Sequence, residues 1–357
     1  MCRWRKLPAE NATHSDRTLP EMRILVQGAG VAGLTAAHEL AGRGAEVLVV
    51  EKNPSIGGEA SWRAGGMLAP FCERESGEQA VIALGQGAAE WWQAALPGLV
   101  TFNGTLVVAP PRDTAELRRF AARTERYSNH SADAIAALEP DLAGRFRAGL
   151  FFAEEAHLDP RQALEELHAK LTATGVRFRF GCTEAPQNER FDRVVDCTGM
   201  AARQHLPDLR GVRGEMLYLE TREVTLARPV RLIHPRFPVY VIPRGGGRFM
   251  VGATMIESAD DGPVTARSLM ELLNAAYALH PAFGEARVVE CSAGVRPAFP
   301  DNLPRVVEKD DTIFINGFFR HGFLMAPAFA RKAADIVFAD HPAKDRPHET
   351  CRQRAIA

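Results

Sequence analysis

Met22-Arg-Ile-Leu-Val-Gln-Gly28-Ala-Gly-Val-Ala-Gly33, continued by Leu34–Arg43, Gly44 and Val47-Leu-Val-Val-Glu51, is the stretch from which the fold is read. Its first part is an apolar run without alternation, the pattern of a strand buried on both faces of a parallel sheet. A glycine turn follows, then apolar residues at helical spacing, a stop at Gly44 and a second buried strand. Together these make one β-α-β unit. Gly28 permits the tight turn, Gly30 lets the backbone approach a pyrophosphate, and Gly33 with Ala37 lets the helix lie close on the sheet. Ala29, Val31 and Ala32 complete the loop at the helix start, where free N–H groups and the helix dipole favour an anion. Glu51 ends the second strand, where its carboxylate can accept from both hydroxyls of an adenosine ribose. Lys52 follows it. The unit fits FAD or NAD equally, and the charge of Glu51 disfavours a 2′-phosphate.

Outward from this unit the pattern loosens. Asp159-Pro160 starts a helix running to about Ala173, because Asp is a strong N-cap and Pro suits the first helical turn. Val176–Phe180 and Phe191–Gly199 read as strands, the second ending in a glycine turn. Between Gly214 and Gly252 the texture becomes antiparallel: Glu215–Glu220, Pro238–Ile242 and Arg248–Ala253, with Gly245-Gly246-Gly247 as a hairpin turn. A helix over about Thr265–Ala278 follows, then a strand Asp311–Asn316 and a helix Ala326–Ala339. We therefore expect an α/β protein. A Rossmann-like dinucleotide domain (residues 22–85, 146–210 and 288–345) is interrupted by an α+β domain with an antiparallel sheet (86–145 and 211–287).

Composition narrows the function. At 357 residues the chain is long enough for two domains, and 43 basic against 44 acidic residues leave a net charge of -1. That gives no field for nucleic acid or anionic lipid, so ligand charge must be met by individual arginines. The six cysteines lack CxxC spacing, which argues against a zinc site and a disulfide framework. No metal is expected. No apolar run approaches the ~20 residues that span a bilayer. Residues 1–21 carry no apolar stretch after Arg3, Arg5 and Lys6, so they read as a disordered tail in a cytoplasmic protein.

Further segments resemble a known family. Ser61-Trp-Arg-Ala64-Gly65-Gly66-Met67-Leu-Ala-Pro70, His157-Leu-Asp-Pro160, Asp196-Cys-Thr198-Gly199 and Gly211-Val-Arg-Gly214 are four of them. Ala293-Gly-Val-Arg296-Pro-Ala-Phe-Pro-Asp301 and Asn316-Gly-Phe-Phe-Arg320-His321-Gly322-Phe323-Leu-Met-Ala-Pro327 are the most specific. The chain is similar over about Met22–Phe338 to the D-amino-acid-oxidase-like flavoproteins, and among them most resembles the glycine oxidases of thiamine biosynthesis. The resemblance implies the glutathione-reductase-like (GR2) FAD fold and FAD as cofactor. It places Ser61, Ala64, Gly65, Gly66, Met67, Thr198, Gly199, Arg320, His321, Gly322 and Phe323 along that cofactor with the fingerprint residues. Where the family usually has a histidine after the first glycine of the last motif, this chain has Phe318. Gly294 stands where sarcosine-oxidising relatives attach flavin to a cysteine, so non-covalent FAD is expected; Cys291 is close by.

The implied activity is oxidative deamination of a small amino acid, glycine first, with oxygen reduced to hydrogen peroxide. Arg296 and Arg320 lie in apolar, glycine-containing surroundings where an unpaired guanidinium is costly, and a carboxylate ligand gives such an arginine a bidentate partner. The alternative is a protein carboxylate, such as Asp301. The resemblance adds Tyr240 and Met255 to the substrate pocket. No residue in these motifs is an obvious general base, so direct hydride transfer is expected, with the amine deprotonated by solvent. A D-amino acid or sarcosine oxidoreductase, or a flavoprotein modifying tRNA, are the rival readings. Relatives are often homotetramers. Arg118, Arg119, Arg123 and Arg126 read as a solvated helix face.

Overall fold

The computed structural model describes residues 22–76, 79–233 and 239–339. The expected tail 1–21, Pro238 and the end of the first domain beyond 339 lie outside them. Two sheets organise the chain. The first has six strands, in the order Arg305–Lys309, Thr312–Asn316, Arg193–Asp196, Arg23–Gln27, Glu46–Glu51 and Arg177–Phe180. All neighbours run parallel except the edge pair Arg305–Lys309 with Thr312–Asn316. Ile24, Leu25 and Val26 are buried in succession, as the unalternated run requires. Helices Val31–Gly42, Pro160–Ala173 and Gly322–Ala339 join its core through Leu34, Leu40, Leu164, Leu167, Phe329 and Val337. Each such fully buried aliphatic side chain contributes about 1.5–3 kcal/mol. Asp159 caps the middle helix, accepting from the Arg161 N–H at 2.9 Å.

The second sheet has nine strands, most of them antiparallel. Arg210–Glu220, Arg248–Gly252, Val239–Pro243 and Val230–Leu232 follow one another. Val230–Leu232 then pairs in parallel with Thr105–Val108, beside Ala148–Phe152 and Ser128–Ser131. The helix Ala266–Leu279 covers this sheet, with Leu272 and Leu279 packed against Leu217, Leu219 and Val251. The longest strand pair, Arg210–Glu220 with Arg287–Ala298, runs antiparallel from Arg210 opposite Ala298 to Glu220 opposite Arg287, with one register shift at Tyr218/Leu219.

Several elements differ from the sequence reading. The strand expected at Glu215 begins at Arg210, and Arg287–Ala298 is a strand that the sequence did not suggest. The last helix starts at Gly322, four residues before Ala326, with Pro327 in its interior. Proline has no N–H to donate four residues back, which leaves the Phe323 carbonyl without its helical partner. The indole N–H of buried Trp92 donates to that carbonyl at 2.9 Å, so the helix continues through the proline. Two stretches also fall on the other side of the expected division. Ala148–Phe152 joins the nine-stranded sheet, whereas Ala88–Ala95, with Trp91 and Trp92, packs into the first core. The arginine face divides too: Arg118 and Arg119 are exposed on helix Thr114–Ala121, while Arg123 and Arg126 lie past its end, paired with Glu75 and Glu154.

Among the described residues no helix is long and apolar enough to cross a membrane, and no cluster of His, Cys, Asp or Glu is placed to hold a metal ion.

Candidate active site

One cavity of about 570 Å³ runs from the glycine turn to the antiparallel sheet. That volume suits a small-molecule or cofactor site. Of the residues expected along a dinucleotide, Gly28, Gly30, Val31, Ala32, Glu51, Lys52, Ser61, Ala64, Gly65, Gly66, Met67, Thr198, Gly199, Arg320, His321, Gly322 and Phe323 line it. Ala29 and Gly33 do not, and both act from behind. Gly33 packs so closely that a Cβ there would overlap the Gly28 carbonyl oxygen. Ala29 offers its N–H to Glu51 Oε2 at 2.8 Å.

The cradle fits FAD on its own geometry. Gly28 has φ +94°, and a Cβ there would lie 2.7 Å from the Cys197 carbonyl oxygen. A Cβ at Gly30 would fill the entry to the helix, 3.2 Å from Ser61 Oγ, which accepts from the Val31 N–H at 3.1 Å. Glu51 Oε1 accepts from the Asn53 N–H and side-chain amide at 2.9 and 2.8 Å. With Ala29 on the other oxygen, three of about four acceptor sites serve the turn, so roughly one remains for a ribose hydroxyl rather than two. Lys52 is half exposed and paired with Glu59 at 2.8 Å. Asn316 donates to the Gly199 carbonyl at 2.9 Å and so ties together the two turns that close the cavity.

At the far end the walls come from the second sheet. Arg296 stands on Arg287–Ala298, and Gly214 lies on the strand beside it. A Cβ at Gly214 would sit 2.5 Å from Arg296 Nη1 and closer still to Cζ and Nη2, so only glycine gives the guanidinium its place. Arg296 Nη1 donates to the Thr254 carbonyl at 3.0 Å. Among the described residues no carboxylate lies within ion-pair distance of Arg296, and Asp301 pairs with Arg305 instead, at 3.0 Å. Burial, with neighbouring Arg320 adding to it, lowers the Arg296 guanidinium to about 10, still cationic at neutral pH.

Arg320 does have a protein carboxylate. Its Nη2 lies 2.5 Å from Glu73 Oε2, and Glu73 is 4% exposed at the end of the short helix Pro70–Glu73. The Tyr240 hydroxyl donates to Glu73 Oε1 and accepts from Arg231 Nη1 at 3.2 Å. Its single proton is therefore engaged by Glu73 and is not offered to a ligand. Burial pushes the phenol well above its ordinary value, so it stays protonated. For Glu73 burial acts upward, but Arg320, His321 and Arg231 outweigh it and hold the carboxyl at about 2. His321 Nδ1 is 3.7 Å from Glu73 Oε2, and burial lowers the ring to about 4, leaving it neutral. Arg231 pairs with Glu75 at 2.8 Å. Met255, 39% exposed, stands at the lip of the cavity. Phe318, in place of the family's histidine, is buried against Phe329 with ring centroids 5.6 Å apart.

Sequence reasoning missed Glu73, Ile242, Met250, Cys182 and Thr183, all of which line the cavity. Met250 and Ile242 sit at alternate positions of strands it did assign, a period that identifies one face. Glu73 carried no such signal.

The family model described as "FAD dependent oxidoreductase", DAO, matches residues 23–336. A protein of Rhizobium etli, provisionally named as the thiamine biosynthesis oxidoreductase ThiO, is 60% identical over 325 residues, covering 91% of this chain and 99% of its own length. A glycine oxidase of Pseudomonas aeruginosa is 28% identical over 90% of this chain and 96% of its own. The crystal structure of glycine oxidase from Geobacillus kaustophilus shares the fold, with a TM-score of 0.74 at 22% identity, over 91% of this chain and 97% of that one.

Proposed function

The chain belongs to the DAO family of FAD-dependent oxidoreductases, and from that premise we propose that it oxidises glycine to its imine, in the cytoplasm, in service of thiamine biosynthesis. The names of its relatives support the substrate. The observation that carries the reading is Arg296, a partly buried cation lining the cavity with no carboxylate in ion-pair distance among the described residues.

In this reading the amino acid's carboxylate docks on Arg296, whose orientation is fixed by the Thr254 carbonyl and by the room that Gly214 leaves. A charge-assisted pair of this kind contributes about 1.5–3 kcal/mol. Tyr240, Ile242 and Met250 wall the α-carbon, and Met255 covers the approach. Much of the rate comes from that positioning. The amine must be neutral to release hydride. Neither Glu73, held at about 2, nor His321, held at about 4, is basic enough to take its proton at neutral pH. Solvent takes the proton before the cavity is filled. FAD, when bound, would supply the electron sink for the hydride, with oxygen as the final acceptor and hydrogen peroxide as its product. We read the cofactor as non-covalent, because Gly294, which has no side chain to attach it, lines the cavity.

The test is anaerobic. Glycine, sarcosine and D-alanine are added in turn to the yellow protein, and the visible flavin bands are followed. Bleaching by glycine, reversed by air with release of peroxide, is the expected result. Bleaching by sarcosine or D-alanine alone would overturn the assignment of substrate.

A further inference from the structure

Arg296 and Arg320 line one end of the cavity, Arg231 lies behind them against Tyr240, and the three charges are not balanced alike. Arg231 pairs with Glu75 and Arg320 with Glu73, whereas Arg296 meets only a backbone carbonyl among the described residues. Glu73 lines the cavity together with Arg296, Arg320 and Tyr240. It is held from several sides: Tyr240 and Arg320 take one oxygen each, and Arg231 Nη1 lies 4.0 Å from Oε1. We propose that Glu73 sets the charge this end of the site accepts: by neutralising Arg320 it leaves Arg296 as the neighbouring guanidinium that a ligand can meet, so the cavity selects amines bearing a single carboxylate over dicarboxylic amines.

The physics behind this is the cost of a net charge in a poorly solvated space. A ligand is tightest when its charge closes the local balance, and each surplus charge of either sign is penalised. With Glu73 ionised, one carboxylate closes the balance left by Arg296. A second carboxylate would meet the negative Glu73 instead of an available cation. Glu73 is thus a positioning and specificity residue acting through Arg320 and Tyr240, without contact to the reacting atoms. Its carboxyl stays ionised across the working pH range, which keeps the selection constant.

This inference rests on the amino-acid reading above, and the experiment separates the two. FAD-loaded parent protein and a Glu73→Gln variant are titrated anaerobically with glycolate, malonate and succinate, reading the displacement of the visible flavin bands. Glutamine keeps an acceptor for the Tyr240 hydroxyl and loses the charge. The ratio of dissociation constants should shift toward the dicarboxylates by ~10-fold or more in Glu73→Gln. It should return toward the parent ratio in the double variant Glu73→Gln/Arg320→Gln. Arg320→Gln alone, which leaves Glu73 facing the cavity without that partner, should weaken glycolate binding by a similar factor, and it carries the test if Glu73→Gln does not fold. An unchanged ratio in Glu73→Gln overturns the proposal, as does a double variant that keeps the gained affinity for dicarboxylates. A parent protein that responds to no carboxylate fails the amino-acid reading itself, and this inference with it.

Discussion

Replacing Gly214 by alanine adds one methyl group, and the structure says where that methyl must go. The backbone at Gly214 is not left-handed, so alanine is conformationally allowed, and in a strand interior it stabilises by roughly 0.5–1 kcal/mol over glycine. The new Cβ, however, would stand 2.5 Å from Arg296 Nη1, against ordinary contact beyond 3.4 Å, with Cζ and Nη2 nearer still. The guanidinium must swing away by about 1 Å or more, a displacement that can cost ~100-fold when it misplaces a substrate. Losing one charge-assisted hydrogen bond, about 1.5–3 kcal/mol, gives ~10- to 150-fold in kcat/KM. The assay is steady-state peroxide production with glycine, alongside the melting temperature and the FAD content. We expect KM to rise sharply while melting temperature and FAD content are retained. A variant whose kcat/KM stays within a small factor of the parent value, with FAD in place, would refute the assignment of the substrate carboxylate to Arg296.

Gly28→Ala forces a left-handed residue against the Cys197 carbonyl, so the purified protein should emerge poor in FAD, read as a raised ratio of absorbance at the protein band to that at the flavin band. Glu155, fully buried with one oxygen accepting from the Cys72 N–H at 2.6 Å, is pushed up to about 8 by burial from an ordinary 4.5. The folded protein then binds a proton that the unfolded chain releases, so this group's stabilising contribution is complete below about pH 4.5 and is lost as pH rises through about 8. Glu155→Gln should flatten the fall of melting temperature over that window, and an identical fall in both proteins would exclude the buried carboxyl as its source.

The dinucleotide end of this molecule was legible because its residues answer local demands that few residue types meet. Gly28 must have positive φ, Gly33 must leave out its Cβ, and Asp159 must cap a helix that Pro160 opens. These are local rules, so local sequence reveals them. Glu73 shows the opposite case. Its four-residue helix has no pattern, and its partners Arg231, Tyr240 and Arg320 lie at least 158 residues further along the chain. Only the folded sheet brings that charge balance into view. Nothing in the strand of Tyr240 announces the carboxylate that takes its proton. The early start at Gly322 was hidden for a similar reason. Pro327 is a stop signal unless the carbonyl it leaves open is answered, and the answer, Trp92, is remote in sequence.

The strand pair Arg210–Glu220 and Arg287–Ala298 has a mechanical meaning. It ends near the cofactor-side turns, where Phe319 donates to the Pro297 carbonyl at 2.9 Å, and it carries Gly214 and Arg296 on the way. A ladder of that length acts as a girder, because bending it breaks several hydrogen bonds together. Met255, exposed at the cavity, lies off that ladder, so its side chain can move without breaking the strand pairing. What the ladder fixes is distance: the room left by Gly214 and the guanidinium of Arg296 stay in register with each other.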